Sequence, residues 1–192
     1  MNYEQFSRSL IRPLVELLAK TGVSPNVLTV LSALLTAGGS ILIATGRPLW
    51  AAIWLATFAP LDALDGGVAR LTGRTSRFGA FLDSTLDRLT DGLLFSAMAY
   101  HFRGEAEILI LSLVALISAY LISYIRARVE GLGGSLREGL MSRYPRFLGL
   151  LALLLIWWAF GRDALLWGLG IYDILLVITV VQRMYLAYVR LR

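Results

Sequence analysis

The stretch Leu49 to Phe102, LWAAIWLATFAPLDALDGGVARLTGRTSRFGAFLDSTLDRLTDGLLFSAMAYHF, sets five aspartates within thirty positions between two apolar runs. How that interruption is read decides the fold. In a soluble protein the acids would mark a solvated face. The rest of the chain excludes this: of 192 residues 57% are apolar and only 16% charged. One soluble core cannot hide so much apolar surface, whereas a bundle of membrane helices can turn it toward lipid. The acids therefore sit at the ends of membrane helices, where charge persists only if it lines a cavity or holds a cation.

Outward from this stretch, runs of roughly 18 or more apolar residues qualify as spans, because about 20 residues cross the hydrocarbon core. The reading is an all-α integral membrane protein with six transmembrane helices: Val27–Thr45, Leu49–Ala69, Phe78–Phe102, Ile108–Ile125, Gly139–Phe160 and Ala164–Val181. Turn chemistry separates them at Gly46-Arg47-Pro48, Gly73-Arg74-Thr75, Arg103-Gly104, Gly131 to Gly134 and Gly161-Arg162. The second and fifth spans are long enough only if they extend into a polar vestibule. Before them, Phe6, Leu10, Leu14 and Leu18 alternate with Arg8, Arg12, Glu16 and Lys20. That pattern predicts an amphipathic interfacial helix over 1–22, bent at Pro13, ahead of a catalytic domain over 23–192.

The net charge of +5 would suggest nucleic-acid binding in a soluble chain. Here it is a topology signal, and no nucleic-acid partner is expected. Fifteen of the eighteen basic residues fall on the side of the termini, against Arg47, Arg103 and Arg162 opposite. The positive-inside rule then places both termini and the second and fourth connections in the cytoplasm of a multi-pass cell-membrane protein. Trp50, Trp54, Trp157, Trp158 and Trp167 lie near the opposite ends, where interfacial rings are favoured.

Asp62 and Asp65 are three apart and share a helix face; Asp83 and Asp87 are four apart and share the next, with Asp91 a turn beyond. Four convergent carboxylates need a counter-charge. With no cysteine and the single His101 at the far end of its span, the donors are oxygens, which favour Mg²⁺, Mn²⁺ or Ca²⁺ over zinc. Four aspartates suffice for two metals clamping phosphoryl oxygens. Gly66, Gly67 and Gly79 leave room for a nucleotide beside them. Two other readings stand: an acid–arginine lattice built with Arg70, Arg74, Arg77 and Arg88, and a cation transporter using the acids as relay sites.

The run Asp62-x2-Asp65-Gly66-x2-Ala69-Arg70-x8-Gly79-x3-Asp83-x3-Asp87 resembles the signature of the CDP-alcohol phosphotransferase family at every fixed position. The resemblance implies a homodimer in which an acceptor alcohol displaces CMP from a CDP-linked lipid such as CDP-diacylglycerol. It implies two Mg²⁺ or Mn²⁺ ions, one on Asp62, Asp65 and Asp83 and one on Asp62, Asp83 and Asp87, with Asp87 also the general base. It assigns Gly66, Arg70, Ser76 and Gly79 to the cytidine diphosphate, and Pro25-Asn26-Val27-Leu28 to the segment closing over the nucleotide. Asp91 lies outside the signature, in a supporting position or paired with Arg88.

For the acceptor, Gly139-Leu-Met-Ser-Arg143-Tyr-Pro-Arg146 has the G-x3-R-x2-R spacing of relatives that use inositol phosphate, and Ser123 to Arg128 resembles their fourth helix. Arg126, Arg143 and Arg146 are then the candidates for an acceptor phosphate, since arginines one turn apart can fork it. Those relatives usually carry acids at the positions of Ser142 and Pro145, so glycerol 3-phosphate stays the alternative acceptor. His101 reads as interfacial, and Asp173, mid-span, as paired with an arginine or a dimer partner.

Overall fold

The computed structural model describes residues 13–58 and 61–192, without the side chains of residues 62 and 63. Among the described residues there are helices and turns but no strand. They are α1 (13–20), α2 (Pro25–Ala44), α3 (Pro48–Phe58), α4 (Asp62–Leu71), α5 (Arg77–His101), α6 (Ala106–Gly131) and α7 (Arg143–Arg190). The first half of the expected interfacial helix, with Phe6, Arg8, Leu10 and Arg12, lies outside the described residues.

Three helices are long and apolar enough to cross a membrane: α2, α6 and α7. Their large side chains point outward in number, among them Leu34, Ile41, Ile117, Tyr124, Trp167 and Val181. Such exposure is costly in water and neutral in lipid. On α6 the inward row is Ile108, Ser112, Ala115, Ala119 and Ile122, with small residues at its centre. Small residues let helices approach closely where there is no hydrophobic drive between them.

Within the expected second span, Leu49–Ala69, the described helices are α3, of 11 residues to Phe58, and α4, which begins at Asp62. The fifth and sixth spans are joined in the 48-residue α7, broken at Gly161, whose φ of 79° and ψ of −165° suit only glycine. The start of α7 falls at Arg143, later than the expected Gly139.

The chain forms two compact units, one comprising residues up to Gly38 with Trp54–Thr90, the other Gly39–Ile53 with Asp91–Arg192. In the first, Val15 of α1 packs with Leu64 and Val68 of α4, and Leu28 of α2 closes the cluster. A Cβ on Gly67 would stand 2.8 Å from the Val15 side chain. Gly67 is thus filled by α1, and the expectation that it leaves room for a nucleotide is corrected. Trp54 of α3 lies over Gly38 and donates from Nε1 to the Leu35 carbonyl at 2.6 Å.

In the second unit the two halves of α7 fold back on each other at Gly161. Gly149 meets the Tyr172 ring and Gly168 meets Leu153, each pair straddling the break. The pairing continues past the helix start: Leu136, fully buried, joins Ile125 and Val129 of α6 beneath Val180, Leu186 and Ala187 of α7. His101 is held by its neighbours. It packs against Phe102 and Trp157 and its Nδ1 lies 3.2 Å from the Ala44 carbonyl, while Gly46 leaves its ring the space.

Candidate active site

In the first unit, α2, α4 and α5 bring polar groups together. Asp65, 7% exposed, accepts from the Thr29 hydroxyl at 2.5 Å, and its other oxygen faces the Gly66 amide. That length is typical of a hydroxyl donating to a carboxylate. The Pro25 carbonyl is the second acceptor in reach of Thr29, at 3.0 Å. Thr29 was not among the residues the sequence singled out. The signal available was a hydroxyl one turn inside an apolar helix, which is too common to select.

Gly66 and Arg70 belong together: a Cβ at 66 would lie 3.3 Å from the Arg70 guanidinium, which folds back over the bare backbone. Gly79, Ser76 and Asn26 form a second group. The Ser76 oxygen accepts the Gly79 amide at 2.9 Å. This is an N-cap, the serine satisfying the third amide of α5. A Cβ on Gly79 would approach Asn26 Oδ1 and Ser76 Oγ, each to 3.1 Å. Of the closing segment, then, Asn26 reaches this group, whereas Leu28 turns into the α1–α4 core and Val27 is 59% exposed. Arg74 donates to the Gly22 carbonyl at 3.1 Å and ties the α4–α5 connection to the turn before α2.

Asp83 and Asp87 lie one turn apart on α5, both partly buried. Asp87 pairs with its neighbour Arg88 at 3.3 Å. Among the described residues no three acidic or histidine side chains gather as metal ligands, and the side chain of Asp62 is not among those described.

In the second unit Arg146 is buried and donates to the Met141 carbonyl at 3.3 Å, Asp91 at 3.4 Å and Ser123 at 3.5 Å. The expected Asp91–Arg88 pair is therefore corrected: each takes another partner, because Arg146 reaches Asp91 from 55 residues away. Arg126 is exposed and bonded to Glu130 on its own helix at 2.9 Å, and Arg143 opens α7 on its exposed side. Both oxygens of Asp173 are buried without a hydrogen-bond partner among the described residues, so the expected arginine partner is not found there. Arg190 forks Glu138 at 2.6 and 2.8 Å, and these bonds hold the Glu138 carboxyl at about 2, below its ordinary range.

Residues 22–185 match the family model of the CDP-alcohol phosphatidyltransferases. The chain is 39% identical to phosphatidylinositol phosphate synthase of Corynebacterium glutamicum, over 93% of this chain and 84% of that one. It is 38% identical to archaetidylinositol phosphate synthase of Pyrococcus horikoshii, over 91% and 88%. Crystal structures of Mycobacterium tuberculosis phosphatidylinositol phosphate synthase superpose closely. The form with CDP-DAG bound gives a TM-score of 0.84 at 31% identity, covering 93% of each chain. The complex with manganese and citrate gives 0.85 at 30%, covering 93% and 88%. The fold, the aspartate spacing and these matches agree: the chain belongs to the CDP-alcohol phosphatidyltransferase family, a class of membrane enzymes.

Proposed function

We propose that this enzyme transfers a phosphatidyl group from CDP-diacylglycerol to inositol phosphate and releases CMP. The observation that carries the reading is the meeting of Asp65 with Thr29, and of Gly79 and Ser76 with Asn26, which draws the signature of α4 and α5 against the first turn of α2. The names of the relatives support the acceptor.

The donor set fits hard divalent cations: aspartate oxygens on α4 and α5, no cysteine, and a lone histidine whose ring is held by aromatic neighbours and a backbone carbonyl. Asp62, Asp65, Asp83 and Asp87 would hold two Mg²⁺, or Mn²⁺ in their place, and the ions would polarise the diphosphate and offset its charge. Thr29 orients the Asp65 carboxylate by donating to it. Arg70, folded over Gly66, offers two guanidinium nitrogens to phosphate oxygens. Ser76, whose oxygen accepts the Gly79 amide, retains its O–H to donate.

Asp87 takes the proton of the acceptor hydroxyl. The hydroxyl oxygen then bonds to the lipid-side phosphorus as the bond from that phosphorus to the CMP oxygen breaks, and CMP leaves with the electron pair. No covalent enzyme intermediate is required. Arg126, Arg143 and Arg146 bind the phosphate of the acceptor. Six spans, an interfacial α1 and cytoplasmic termini set the reaction at the cytoplasmic face of the cell membrane, and the enzyme acts as a homodimer.

Purified protein in lipid, given CDP-diacylglycerol, Mg²⁺ and radiolabelled acceptors in parallel, tests this. The expected product is phosphatidylinositol phosphate with equimolar CMP. Transfer to glycerol 3-phosphate alone would overturn the acceptor, and cation flux in vesicles without nucleotide would favour a transporter.

A further inference from the structure

We infer that Arg183 is a positioning residue for the acceptor arginines, and that Gly139 of the G-x3-R-x2-R run is a glycine so that Arg183 can pass over it. The inference rests on the acceptor reading above.

Arg183, in the second half of α7, is 3% exposed. Its Nη1 donates to the Ile122 carbonyl of α6 at 2.6 Å, and its Nε donates to the Glu138 carbonyl at 3.0 Å. Both acceptors are backbone atoms of segments that carry candidate arginines. In an α-helix the Ile122 carbonyl is the one that accepts the amide of residue 126, so Arg183 grips α6 at the bond that sets Arg126. Glu138 directly precedes Gly139, the first residue of the run that ends at Arg146. One planar guanidinium thereby sets the distance between the α6 backbone at Arg126 and the strand of chain leading to Arg143 and Arg146. Lysine, a point charge with no fixed fork, cannot hold that spacing.

Gly139 supplies the clearance. Its φ is 145°, and a Cβ there would stand 2.8 Å from Arg183 Nε, with Thr179 Cγ2 at 3.2 Å. The neighbouring residues continue the attachment. Gln182 accepts the Leu140 amide at 3.2 Å and Thr179 the Met141 amide at 3.0 Å, and Met141 in turn offers its carbonyl to Arg146. Glu138, Leu140 and Met141 are thus held from α7's own second half, and the helix register that spaces Arg143 from Arg146 begins two residues on.

The test uses the full-length enzyme in lipid, with KM and kcat measured separately for CDP-diacylglycerol and for inositol phosphate. Arg183→Lys and Gly139→Ala are each expected to raise the inositol phosphate KM by about tenfold or more, the scale of a lost hydrogen bond to a charged group. The CDP-diacylglycerol KM is expected to stay within about twofold. Thr179→Val removes one supporting acceptor while sparing the guanidinium, and is expected to shift the same KM less; it serves if the other two variants fail to fold. Folded variants with an unchanged acceptor KM, or with both KM values raised together, would overturn the inference and leave the function intact. A wild-type enzyme that transfers to no phosphorylated acceptor would overturn both.

Discussion

The two compact units treat charge in opposite ways. In the first unit the Asp65 carboxylate takes a hydroxyl, a serine caps α5, and an arginine folds back over bare glycine backbone. Around Arg146 and Arg183 the second unit turns guanidinium groups toward its own carbonyls. The chemistry of the side chains explains the contrast. A guanidinium has five donors, and a folded chain offers carbonyls in abundance. A cluster of carboxylates needs positive charge, which the backbone supplies only weakly. The first unit therefore meets its buried carboxylate with a hydroxyl, and the second meets its guanidinium groups with carbonyls.

The sharpest way to break this comparison is Asp87→Asn. Transfer is expected to fall by about 10²- to 10⁴-fold, the range of a lost general base, while nucleotide binding persists. Radiolabelled acceptor transfer alongside CDP binding reads both; a folded variant with full activity would make the acids a scaffold. Chelation of divalent ions is expected to abolish transfer reversibly, with no matching loss of the second unit's structure. Next in size, Thr29→Val removes the donor to Asp65, and the apparent Mg²⁺ affinity is expected to drop by roughly tenfold, the scale of a bond to a charged group. Activity against Mg²⁺ concentration measures it.

Gly67→Ala probes packing in the same unit without touching its charges. The added methyl meets Val15, so thermal stability is expected to fall by about 1–3 kcal/mol and to recover in the Val15→Ala double variant. The smallest effect belongs to the second unit. Arg190 lowers the folded-state pKa of Glu138, so the stability it adds is present above about pH 4.3, the ordinary value for a glutamate. It is lost as pH falls toward 2. Comparing the acid unfolding of wild type and Glu138→Gln isolates this contribution, which is expected to shrink at high salt.

Much of the first unit was legible because its logic is local. Spacings of three and four residues place Asp62 with Asp65 and Asp83 with Asp87 on any helix. The cap that Ser76 places on α5 was not read from the sequence, although its position three residues before Gly79 records it. Glycine itself proved ambiguous. Gly66 and Gly79, both fixed in the signature, border arginine, serine and asparagine, whereas Gly67, at one of its open positions, is filled by Val15 of α1.

By itself the sequence determined a helical membrane protein, the breaks at Gly46, Gly73, Gly133 and Gly161, each confirmed by a positive φ, and the aspartate pattern of the family. Those follow from composition and from helix periodicity, which act over a few residues. Only the tertiary structure decided that Arg146 takes Asp91 and Ser123, that Arg183 bridges Ile122 and Glu138, and that Asp65 leans on Thr29. These partners stand 23 to 61 residues apart. A long, always-charged side chain bonds whichever carbonyl or carboxylate the fold brings within reach, and no local spacing records which one that is.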